Sequence, residues 1–301
     1  MKKLIALVAA AALSTSLAAC GSSDDDAKDA PAQDASTSAK VYDISQIEEV
    51  PELAALVPDA VKKDGKLTIG SNLFYAPAEF FAADGTPQGY DVDMGRAVAK
   101  VLGLEAEFQT AEFASIIPAI GTKYEAGIAN FTINEDRMKV VDMIKYLEIG
   151  SAWSVPTGNP SKFDPANPCG ARIGVQTGTV QDEAMADINA KCGDNPVQVQ
   201  KDDAQSKITL AVSAGQLDAM YTDSSVADYA VSVHEGKMER IGELEDPAWL
   251  GIAVNKENAE LTKAIQAALQ YLIDEGKLAD VFAFWGINDG LATKVEVNPA
   301  L

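Results

Sequence analysis

Residues 89–104 read GYDVDMGRAVAKVLGL. Within them Met94, Val98, Val101 and Leu102 recur at i, i+4, i+7 and i+8, the spacing that lines apolar side chains along one helix face. Asp91 stands where a side chain can cap the first turn. A short β-type run, KLTIG at 66–70, precedes the stretch, and the alternating EAEFQT at 105–110 follows it. Strand, crossing helix and strand at these lengths predict a β-α-β unit with parallel strands.

The same rhythm continues outward. Ser115 opens a short helix with Pro118 in its first turn, where a missing N–H costs nothing, and AGIANFTI at 126–133 is apolar enough for a buried strand. Beyond the Gly/Pro-rich stretch 156–168 a second series begins. Strands at 171–176, 197–200 and 218–222 alternate with helices at 179–191, 205–214 and 224–234. A strand at 251–255 and a helix at 259–275 follow, the helix carrying Leu261, Ile265, Leu269 and Leu272 on one face. Ahead of the first strand, 51–63 reads as one amphipathic piece packed on the outside. Repeated units of this kind predict an α/β protein of mostly parallel sheets flanked by helices.

The N-terminal end has a different composition. Lys2 and Lys3 precede a short apolar run, and Leu17-Ala18-Ala19-Cys20 closes it, so 1–19 reads as a signal peptide too short to span a bilayer. The Leu-Ala-Ala-Cys ending resembles the bacterial lipobox, which implies a lipid on the Cys20 thiol. The next twenty residues, GSSDDDAKDAPAQDASTSAK at 21–40, hold no aromatic and no large aliphatic side chain. They cannot bury enough apolar area to offset ordering entropy, so 20–45 is expected to be a lipid-anchored flexible linker.

The chain carries 24 Lys+Arg against 45 Asp+Glu, which argues against nucleic acid and against an electrostatic hold on anionic lipid. About 260 residues follow the linker, room for two modest lobes. Cys169 and Cys192, an even pair in an exported protein, favour a disulfide over two buried thiols. The sequence shows no metal-ligand spacing, calls for no cofactor, and leaves His234 in a predicted helix outside the motifs.

Three constellations carry a family resemblance. They are GYDVDM at 89–94 with its helix and Leu102-Gly103-Leu104, FTINEDR at 131–137 followed by Val141-Asp142, and GVQTGT at 174–179 with DAMYTD at 218–223. In that order and spacing, from about residue 66 to residue 286, the chain resembles the polar amino-acid class of ABC-importer solute-binding proteins. The resemblance implies a two-lobed periplasmic-binding-protein-like fold with two hinge crossings. It places lobe 1 at 60–149 plus 250–290 and lobe 2 at 150–249, with crossings near 147–150 and 247–250. It also implies a monomer at the outer face of the cytoplasmic membrane, or in the periplasm where the envelope has an outer membrane, capturing a polar L-amino acid for an ABC permease and its ATPase.

Residue by residue, the resemblance gives Arg137, one of only four arginines, to the ligand carboxylate, whose plane the guanidinium fork matches with two parallel bonds. Asn130 and Thr132 alternate along the predicted strand and so face the same side. Thr179 and the Val180 amide open a helix whose N-terminus favours the same carboxylate, and Gln176 stands at the end of the strand before it. Asp223 matches the acid that holds the ligand ammonium, and Tyr75 and Phe113 match aromatic cleft walls. Two positions depart from the family pattern. Asn72 stands where an Asp is frequent, which leans away from lysine or arginine towards glutamine, glutamate or asparagine, and Ala78 stands where a Phe is usual. A sensory surface receptor and a dehydratase-like enzyme on the same scaffold are the alternatives, but no nucleophile or proton-shuttling motif supports catalysis.

Overall fold

The computed structural model describes residues 40–301, so the leader, Cys20 and most of the linker lie outside the described residues. The first helices are short: α1 (Pro51–Ala54) and α2 (Asp59–Lys62) split the single piece expected at 51–63. Pro58 sits immediately before α2, where its ring and missing N–H interrupt a continuous helix. Val57 and Val61 are buried while most of 51–63 is exposed, so this region packs an apolar edge against the lobe from the outside, as expected.

Strand β1 (Lys66–Ser71) leads to a small antiparallel sheet of β2 (Phe74–Tyr75), β3 (Glu79–Phe81) and β4 (Pro87–Gln88), and then to α3 (Tyr90–Val101) and β5 (Glu105–Thr110). β1 and β5 pair in parallel, the β-α-β unit expected from 89–104. Gly89 makes the entry to α3 possible. Its φ is 130°, and a Cβ there would lie 2.1 Å from the Ala78 carbonyl oxygen. That approach brings Tyr90 and Asp91 N–H groups onto the carbonyls of Pro77 and Ala78. Asp91 does not cap the helix. Gly89 holds the cap position, and Asp91 is fully buried.

Helix α4 (Phe113–Ala119) begins two residues before Ser115 and carries Pro118 near its end, not in its first turn. β6 is only Ala126–Gly127, because the backbone leaves the ladder at Asn130, whose φ of 52° no extended strand accommodates. After α5 (Glu135–Val140) come β7 (Val141–Pro156), β8 (Arg172–Gln176), α6 (Val180–Lys191), β9 (Gln198–Asp202), α7 (Gln205–Ser213), β10 (Ala219–Asp223) and α8 (Ser224–Val233). β11 (Met238–Asn255), α9 (Ala259–Asp274) and α10 (Lys277–Phe284) follow.

The main sheet has the order β5-β1-β6-β11-β7-β10-β8-β9. Its centre is the long antiparallel pair β7 and β11, whose register shifts between Ile241 and Glu245, Glu245 and Ala248, and Leu250 and Gly251. The start of β7 and the end of β11 extend the β5-β1-β6 group, while the end of β7 pairs with β10 at residues 151–154. The fold is therefore two α/β lobes joined by two strands that pass from one to the other. Gly150 lies in that passage, where a Cβ would meet the Glu245 carbonyl at 2.6 Å.

The core of the first lobe packs Met94 and Val98 of α3 against Leu261, Ile265, Leu269 and Leu272 of α9, all buried. Each such side chain contributes roughly 2 kcal/mol relative to exposure. Trp153, Val155 and Tyr221 anchor the core of the second lobe. Cys169 and Cys192 form a disulfide with Cα atoms 5.3 Å apart, tying the approach to β8 to the end of α6. Among the described residues, no helix is long and apolar enough to cross a membrane.

Candidate functional site

A tight cavity of about 10 Å³, room for about one water in this shut form, lies between the lobes. Tyr75, Phe113, Asn130, Thr132 and Arg137 line it from the first lobe, and Thr179, Val180 and Asp223 from the second. Ala129 and Gln181 complete the lining, and the sequence reading named neither. Gln181 could have been found from the cap at Thr179, since any residue in the first turn of that helix borders whatever the helix end faces.

Arg137 sits on α5, whose start is capped by Asn134 accepting from the Arg137 N–H at 2.8 Å. Its Nη1 donates to the Thr132 carbonyl at 2.7 Å, and its Nη2 crosses to the Gly178 carbonyl at 3.3 Å. The guanidinium carbon lies 5.3 Å from the Phe113 ring centre and 5.6 Å from that of Phe131, within cation–π range. Burial pulls its pKa down, opposed by the charges of Glu183 and Asp223. The hydrogen bonds of this fork go to neutral carbonyls, so the charges that offset its own act on it only from a distance.

Asp223 ends β10 and holds the N-cap position of α8, but its side chain makes no cap hydrogen bond there. Its Oδ2 accepts from Tyr75 Oη at 2.9 Å and Asn130 Nδ2 at 2.7 Å, and its Oδ1 accepts from Gln181 Nε2 at 2.8 Å. Burial pushes the carboxyl up, while Tyr75, Asn130, Gln181 and the Arg137 charge pull it back. The site thus holds one guanidinium from the first lobe and one carboxylate from the second.

Thr179 is the N-cap of α6: its hydroxyl accepts from the Asp182 N–H at 3.1 Å and donates to the Gln176 carbonyl at 2.8 Å. The opening N–H groups of α6 have no partners inside the helix, which suits an anion at this end of the cavity. Asn130 and Thr132 both reach the cavity, although not through strand alternation. Asn130 is left-handed and Thr132 makes an isolated bridge to Leu250.

Asn72 and Gln176 stand apart from the cavity lining and bond each other. Gln176 Nε2 donates to Asn72 Oδ1 at 3.0 Å and to the Asp203 carbonyl at 2.9 Å, and Asn72 Nδ2 donates to the Ala111 carbonyl at 2.8 Å. The two acceptors around Nε2 fix the orientation of the Gln176 amide and leave its Oε1 buried without a hydrogen bond. Both residues are spent on closing the lobes. Among the described residues no cluster of His, Cys, Asp and Glu could hold a metal.

Two lobes shut over a cavity with one cationic and one anionic wall define a binding protein built to enclose a small charged solute. Residues 67–288 match the model of the bacterial extracellular solute-binding proteins, family 3, and the chain belongs to that family. It is 35% identical over 255 residues to the arginine-binding protein ArgT of Corynebacterium glutamicum, covering 83% of each chain. It is 28% identical to the L-cystine-binding protein TcyJ of Escherichia coli, covering 75% of this chain and 84% of that one. Among solved structures, an ancestral arginine-binding protein bound to arginine superposes with a TM-score of 0.69 at 32% identity, over 73% of this chain and 98% of that one. An ancestral arginine-binding protein bound to glutamine gives 0.69 at 32% identity, over 75% and 99%. The relatives are binding proteins, and this chain is a binding protein and not an enzyme.

Proposed function

We propose that this protein captures a polar L-amino acid outside the cytoplasmic membrane and delivers it to an ABC permease by closing its lobes. The observation that carries the reading is the opposed pair Arg137 and Asp223 on one cavity. A free amino acid is a zwitterion. Its carboxylate matches the guanidinium fork and the start of α6, and its ammonium matches Asp223. Docking begins on the lobe of 60–149 with 250–290, through Arg137, Thr132 and the aromatic walls. The lobe of 150–249 then brings Thr179 and Asp223, and the shut form is what the permease recognises.

For the side chain, the relatives named for arginine favour a cationic ligand, while Asp223, the one carboxylate among the described lining residues, is taken up by the ammonium, which favours an amide. The two ancestral arginine-binding structures, one bound to arginine and one bound to glutamine, keep both side chains in view. Arginine and glutamine are therefore the leading candidates. A thermal-shift panel of the common L-amino acids tests this. A ligand at 100 times its Kd adds about 2.7 kcal/mol, raising Tm by about 5–10 °C in a chain of this size. No shift with any amino acid would overturn the ligand class.

We also assign the membrane tether to a lipid on Cys20. Cys20→Ala should move the protein from the membrane fraction to the soluble fraction. An unchanged distribution would remove the tether from this reading.

A further inference from the structure

Behind the cavity lies a group of carboxyls that ligand capture does not itself require. Glu79, at the start of β3, is fully buried, and neither of its carboxylate oxygens has a hydrogen-bond donor. Asp91, in the first turn of α3, is equally buried, and its backbone N–H bonds the carbonyl of Ala78, the residue before Glu79, at 2.9 Å, which brings the two carboxyls together. Asp91 is well supplied with donors: Tyr146 Oη at 2.8 Å and 3.1 Å, and the Asn130 N–H at 2.7 Å.

Two adjacent buried carboxyls do not both ionise, because neither desolvation nor like charge permits it. The proton belongs on the partner that has no donors, since a neutral acid supplies a donor instead of needing one. That partner is Glu79. The titratable groups facing it are Asp91, Asp223, Tyr90 and Tyr146, and none is cationic. Burial, followed by the charges of Asp91 and Asp223, holds the Glu79 carboxyl well above the ordinary carboxylate range.

We propose that Glu79 is a neutral carboxylic acid donating its proton to Asp91, and that this pair positions Asn130 against Asp223. Asn130 holds a left-handed backbone, a strained conformation for a non-glycine residue. Its N–H is fixed by Asp91, its Oδ1 accepts from Tyr90 Oη at 2.8 Å, and its Nδ2 then reaches Asp223 at 2.7 Å. Glu79 is a positioning residue, two links removed from the carboxylate that the ligand ammonium meets. This step rests on the reading of Asp223 as the ammonium site.

The test uses the folded protein with Glu79→Gln, which keeps a donor for Asp91, and Glu79→Ala, which does not. Infrared spectra of wild type at about pH 8, far above an ordinary carboxylate pKa, should contain the carbonyl stretch of a buried carboxylic acid that Glu79→Gln removes. The Asn130 side-chain amide resonance should keep its position in Glu79→Gln and move in Glu79→Ala. Glu79→Gln should bind arginine or glutamine within about threefold of wild type, and Glu79→Ala about tenfold or more weakly, the scale of one lost hydrogen bond to a charged group. A wild-type spectrum without that band, or Glu79→Gln behaving like Glu79→Ala, would overturn the proposal. If neither amino acid binds wild type, the reading of Asp223 fails, while the infrared band and the Asn130 resonance still decide the role of Glu79. If Glu79→Ala does not fold, the band and the retained Asn130 resonance in Glu79→Gln carry the decision.

Discussion

Tyr75 and Asp223 meet across the cleft, the phenol donating to the carboxylate at 2.9 Å while both residues line the cavity. One hydrogen bond therefore links closure of the lobes to the orientation of the anionic wall. Burial raises the Tyr75 pKa well above its usual value, so the phenol stays a donor. Tyr75→Phe should fold normally and weaken amino-acid affinity about tenfold, the value of one hydrogen bond to a charged acceptor. Isothermal titration of the variant checks this, and unchanged affinity would mean that the contact is idle in the bound state.

Arg137 makes the sharpest demand on the site reading. Its fork rests on two carbonyl oxygens and two aromatic rings, none of them anionic. Arg137→Ala should abolish measurable binding while leaving the circular dichroism spectrum intact. Arg137→Lys should recover little, because a point charge cannot reproduce a planar two-pronged grip. Retained affinity in either variant would move the carboxylate elsewhere.

Much of this was legible from local pattern. Helix α3 and helix α9 carry their apolar faces in plain 3.6-residue spacing, and Thr179 announces α6 as an N-cap. What escaped depends on partners distant in sequence. β11 carries Glu243, Glu245, Asp246 and Pro247 along its middle and so does not read as a single long strand, and β7 and β11 are held by each other across about 100 residues of chain. The break at Asn130 is set by Asp91, 39 positions earlier, so the apolar run around it misled. Asn72 and Gln176, 104 positions apart, spend their amides on each other, a pairing no motif at either position reveals.

The disulfide gives a stability test separate from the site. Cys169 and Cys192 close a loop with a sequence separation of 23 in the second lobe, and neither borders the cavity. Replacing both by serine should lower the unfolding free energy by about 3 kcal/mol through the greater freedom of the unfolded chain. Affinity should stay within about twofold, since additivity holds for sites without shared partners. Chemical denaturation and titration of the double variant measure the two quantities. A large loss of affinity would tie the bridge to the cleft.

The buried acids set a pH dependence whose sign can be worked out. Burial pushes Asp91 from its ordinary value of 3.8 up to about 7. Below 3.8 the folded and unfolded chains both hold that proton, and the folded state carries no penalty. Between 3.8 and about 7 the unfolded chain releases the proton and the folded one retains it, so stability falls as pH rises. The full difference for this group is on the order of 4 kcal/mol. Glu79 and Asp223 are raised by burial too and act in the same direction. Of the carboxyls held low by partners, Asp43 and Asp136 are exposed and Glu107 is half-exposed, where screening leaves them little weight. Without added amino acid, Tm should therefore be higher at about pH 5 than at about pH 8, and Asp91→Asn should flatten the slope. A Tm that rises across this interval would contradict the burial of uncompensated acids behind the cavity.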